Sequence, residues 1–117
     1  MRQLAAAALL LALWSPVAHA LGDRTDQLYW KCAGQEKLPE VGLLQCAGYI
    51  DGILDMHSMM VGFVKAPPMF CLPQTGISVD QAMRVFMQWV ERNPDKMHLG
   101  ARGSVVIALG TAFPCPR

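Results

Sequence analysis

The 117-residue sequence contains no run of like charge and no basic patch interleaved with aromatic residues. Charged residues make up 16% of it and aromatics 8%, which leaves little to grip a phosphate backbone or an anionic bilayer. No C-x-x-C spacing occurs, and His57 and His98 stand isolated, so no metal site is expected. Repeats and low-complexity segments are absent. Past the N-terminus no apolar run is long enough to cross a membrane. These absences exclude nucleic acid, membrane insertion and a cofactor, and leave recognition to shape, apolar contact and local polar groups.

Catalytic constellations are missing too. Asp51 and Asp55 share one helical face but have no partner acid and no metal. His57 lies two residues from Asp55, so on a helix the two side chains point in different directions. Ser58 has no base at helical spacing. No catalytic residue is expected, and the chain does not read as an enzyme.

What the sequence does have is four cysteines, Cys32, Cys46, Cys71 and Cys115, all downstream of a leader and none within it. Residues 1–20 carry the three parts of a secretory signal. Arg2 is a minimal positive region, residues 5–14 are unbroken apolar chain, and Ala18-His19-Ala20 follows the helix breaker Pro16. Cleavage is expected after Ala20, leaving residues 21–117 as a single domain in an oxidising space, with the bacterial periplasm the best match. Without Arg2 the ten basic residues become nine, against nine acidic ones, so the mature formal charge is close to zero. An even cysteine count in a short exported domain reads as a disulfide framework.

The periodicity predicts an all-α fold, a small four-helix bundle stapled by two disulfides. A short helix is expected over residues 23–31, anchored by Leu28 and Trp30. Residues 32–39 form a polar connection. The longest periodic segment, 40–62, carries Val41, Leu44, Gly48, Ile50, Ile53 and Leu54 near the spacing of an apolar stripe. Gly48 and Gly52, four apart, suggest close approach of another helix or a second subunit. Pro67, Pro68, Pro73 and Gly76 bar a helix over 64–77. Ser78 followed by Gln81 fits a capping box, and Ala82, Val85, Phe86, Trp89 and Val90 form the clean stripe of a third helix. A turn-rich stretch, 93–100, leads into a last helix over 101–112. Met83 and Met87, one turn apart, suit either core filling or a docking seam.

Four cysteines allow three pairings, and spacing does not choose among them. The helix climbs roughly 24 Å from Cys46 to Gly62, and residues 63–71, extended, reach about 28 Å. Cys71 could therefore meet Cys46, which would leave Cys32 with Cys115. This nested arrangement is the favoured expectation.

The succession CAGYIDGILDMH, FCLP, VFMQWVERNP and VVIALGTAFPC resembles the Rap/Tai family of type VI secretion immunity proteins, over most of residues 46–115. A weaker likeness, carried by Tyr29-Trp30-Lys31-Cys32 and Gly48-Tyr49, runs to periplasmic acid-stress chaperones of the HdeA type, and it too implies a Cys32–Cys115 bridge. The family resemblance implies a periplasmic immunity protein, often a homodimer, that binds and inhibits a peptidoglycan-degrading amidase-type effector. It also implies that the loop before the last helix plugs the enzyme's active site. That loop maps to Asn93, Pro94, Asp95, Lys96, Met97 and His98, with the Lys, Met and His side chains expected to protrude. The alternative is an HdeA-like periplasmic acid-stress chaperone or an orphan envelope protein.

Overall fold

The computed structural model describes residues 22–117; the expected leader and its cleavage site lie outside them. Among the described residues four α-helices follow in order, α1 Thr25–Cys32, α2 Pro39–Gly62, α3 Val79–Arg92 and α4 Ala101–Ala112, with a 3-10 turn at Pro94–Lys96. Among the described residues there is no strand, only one isolated antiparallel bridge between Arg24 and Gly100.

Each helix has a local cause. Pro39 stands at the first position of α2, where its missing N–H costs nothing. The Ser78 hydroxyl accepts the Gln81 N–H at 3.0 Å and starts α3. At the far end of α2, Phe63 N–H and Ala66 N–H donate to the Met59 and Met60 carbonyls. Lys65 there takes φ 62°, the left-handed turn that ends the helix, and its Nζ donates to the Gly62 carbonyl at 2.7 Å.

The core gathers Leu28, Cys46, Ile50, Phe70, Phe86, Val90, Val105 and Leu109, all fully or almost fully buried. At about 25 cal/mol per Å² of apolar surface removed from water, each large side chain here contributes about 1.5–3 kcal/mol. Phe70 comes not from a helix but from the extended connection between α2 and α3, which crosses α4 at Gly110. A Cβ on Gly110 would lie 3.1 Å from the Met69 carbonyl oxygen, so a larger residue there would push the crossing chain away by a few tenths of an ångström.

The disulfides correct the nested expectation: Cys32 pairs with Cys46, and Cys71 with Cys115. Two local features account for this. Gly34, at φ 69°, folds the short turn after α1 so tightly that α2 runs back across the end of α1. A Cβ on Gly42 would sit 3.4 Å from the Lys31 Cα, and Cys46, one turn further on, meets Cys32. The return after α2 is not fully extended either. Residues 63–66 are used in closing the helix end, and Met69 has descended only to the level of His57. The chain then crosses to the tail, where Cys71 N–H donates to the Phe113 carbonyl at 2.9 Å.

Other expectations shift by a face. Leu28 is the anchor of α1, whereas Trp30 is exposed. In α2 the inward residues are Gly42, Cys46 and Ile50, and Val41 and Leu44 face outward. Among the described residues no atom lies within 4 Å of a Cβ placed on Gly48 or Gly52, so no described helix approaches there. Met83 is buried and Met87 packs against the core, which makes both core filling.

Candidate partner-binding surface

The loop between α3 and α4 is built from both of its ends. Asn93 does not cap the following turn; its Nδ2 donates back to the Trp89 carbonyl at 2.8 Å and closes the end of α3. Pro94 starts the 3-10 turn, in which Lys96 N–H reaches the Asn93 carbonyl at 3.0 Å. Leu99 N–H then donates to the Lys96 carbonyl at 3.1 Å.

The start of α1 fixes the loop from the other side. Asp26 N–H donates to the Met97 carbonyl at 2.9 Å, and Thr25 N–H to the Leu99 carbonyl at 2.8 Å. Ala101 N–H donates to the Asp23 carbonyl. The Thr25 hydroxyl also donates to Leu99 O, at 2.9 Å, and lies 2.6 Å from the Ser104 hydroxyl, with both side chains buried. Arg24 grips Asp26 through two hydrogen bonds, and this contact holds the Asp26 carboxyl below its ordinary range.

All six expected residues therefore sit on one rigid loop, but they do not all protrude. Pro94, Asp95 and His98 are exposed. Lys96 is half-buried and pairs with Asp95 at 3.2 Å. Met97, expected to project, packs against the core instead, because Asp26 draws its backbone inward. Leu99 presents an exposed apolar side chain beside His98, a contribution that the sequence reading did not include. Next to Asn93 a shallow groove runs between α3 and α4, lined by Gln88, Trp89, Arg92 and Thr111 among others. Exposed and half-buried groups thus form a mixed apolar and polar surface whose backbone is already set. Among the described residues no cluster of His, Cys, Asp and Glu could hold a metal ion.

A second exposed region lies on α2. Leu38, Val41 and Leu44 face out at one end, and Met56, Met59, Met60, Phe63 and Val64 at the other. Among the described residues no helix is long and apolar enough to cross a membrane.

The described residues thus form a helical fold stapled by two disulfides, with a loop anchored from both sides at one end. The model of the Rap1a immunity protein family matches residues 24–115, and the chain belongs to that family. No curated protein and no solved structure matches it. Membership implies a cognate effector protein as partner and a non-enzymatic, inhibitory role. The disulfides fit an exported protein.

Proposed function

We propose that this protein is a periplasmic immunity protein that inhibits a peptidoglycan-degrading, amidase-type effector of type VI secretion, plugging the active site with residues 93–98. The observation that carries the loop assignment is its double anchoring, to the end of α3 through Asn93 and to α1 through Thr25 and Asp26. A loop already fixed in the free protein loses little conformational entropy on docking, so more of its contact energy appears as affinity. The inhibitor acts as a homodimer, with the outer face of α2 around Leu44, Gly48 and Gly52 as the seam. It is exported by the signal in residues 1–20 and works as the single domain of residues 21–117.

The test is a titration of the purified protein against amidase-type effectors, read as release of soluble fragments from peptidoglycan. Stoichiometric inhibition of one enzyme at neutral pH is expected. Replacing Asp95 and His98 together by Ala should raise the inhibition constant at least tenfold without changing the melting temperature. An unchanged constant would remove the loop from the interface.

A further inference from the structure

The connection from α2 to α3 is pinned to the helix by a side chain that titrates. His57 Nε2 accepts the Met69 backbone N–H at 3.1 Å. The same ring stacks on Phe70, with centroids 3.8 Å apart and planes inclined by 16°. An imidazole nitrogen that accepts an amide proton is unprotonated, so His57 is neutral here and carries its proton on Nδ1. Phe70 beneath it is 1% exposed, whereas Phe63, Val64 and Met69 on the same connection are open to solvent.

The flanks of this contact differ. Upstream, the chain leaves α2 through the left-handed Lys65 and the Ala66 N–H bond to Met60. Downstream, Cys71 is bolted to the tail by its N–H bond to Phe113 and by the Cys115 disulfide. Among the described residues, the Met69–His57 bond is the hydrogen bond that joins residues 67–71 to α2.

We propose that His57 is an acid-released latch: protonation of Nε2 sets two donors face to face, breaks the bond to Met69 and frees residues 67–70 from α2. Phe70 then leaves the core and joins the exposed side chains of Phe63, Val64 and Met60 as one apolar surface. The Cys71–Cys115 bridge keeps the released segment attached to the end of α4.

The direction follows from the surroundings of the ring. On α2 the acids Asp51 and Asp55 are exposed, and on the connection Lys65 is engaged with Gly62. On α3, Asp80 pairs with Arg84 and Glu91 accepts the Tyr29 hydroxyl, with Arg92 beyond them; Arg102 and Arg117 lie on α4 and the tail. None of these charges perturbs His57; burial alone pushes its pKa below the ordinary imidazole value. The closed state thus binds the proton less readily than the open one. The latch holds above pH about 6.5, weakens below it, and is lost as pH falls through the lowered value of the closed form.

The experiment is an NMR pH titration of the oxidised protein from pH 7.5 to 5, following the His57 ring protons and the exchange protection of backbone amides. Below pH about 6.5 the Met69 protection factor should fall by up to about tenfold per pH unit, in step with His57, while Val90 and Leu109 stay protected. In His57→Gln, which retains a carbonyl acceptor but does not titrate, Met69 should stay protected throughout. The same acid step in His57→Gln would overturn the latch. So would a Met69 amide in the wild-type protein that stays protected while the His57 ring titrates, and this measurement decides alone if the variant fails to fold.

Discussion

The Thr25 hydroxyl has one proton, and the Leu99 carbonyl takes it. The 2.6 Å contact to Ser104 must then be donated by Ser104, which leaves both buried hydroxyls satisfied. Replacing Thr25 by Val keeps the shape but strands the Ser104 donor and removes one of the bonds to Leu99. We expect a loss of about 1–3 kcal/mol in urea unfolding, the cost of an unpaired buried polar group. A variant as stable as the wild type would mean that water replaces the lost partner. This pair left no trace in the sequence, because its members lie 79 residues apart and neither forms part of a periodic pattern. The stacking of His57 on Phe70 is hidden for the same reason. Ser78, in contrast, was legible as a cap, since its partner lies only three residues away.

Among the helices, α3 was the easiest to read and α2 the hardest. In α3 the polar and apolar residues separate cleanly, so the stripe from Ala82 to Val90 could face only one way. In α2 apolar residues occur all round a 24-residue helix, yet only Gly42, Cys46 and Ile50 are fully covered. An apolar stripe can then be drawn on either side, and the sequence reading drew its first half, Val41 and Leu44, through the open one. The informative signal was the four-residue step from Gly42 to Cys46, which puts a close approach and a disulfide on one face. A helix apolar on both sides and covered on one is consistent with a second copy packing on the other. Light scattering during gel filtration should give twice the chain mass, and Leu44→Glu, at a position 74% exposed, should give a folded monomer. A wild-type protein that is monomeric at 100 µM would remove α2 as a seam. The candidate loop was placed correctly along the chain by the Asn93-Pro94 break. The inward turn of Met97 was not legible, because the backbone pairing with α1 that causes it is non-local.

Across the whole molecule, each disulfide restricts a different stretch of the unfolded chain. The Cys32–Cys46 loop contributes about 3 kcal/mol and the longer Cys71–Cys115 loop about 4 kcal/mol in the chain-entropy account. For a domain of this size, whose core alone gives a modest margin, these are large shares. The covalent graph they draw is two separate rings in series, joined by a single strand from residue 47 to residue 70. Lys65, exposed in its left-handed turn, is the one Lys or Arg on that strand. A lysine-specific protease acting there therefore divides the protein into two pieces that part on a non-reducing gel. Cuts at Lys37 or Lys96, each inside a ring, leave their fragments tied. Nested bridges would have kept the halves together after a cut at Lys65, so for a lysine-specific protease the link between the two rings is the single bond after Lys65.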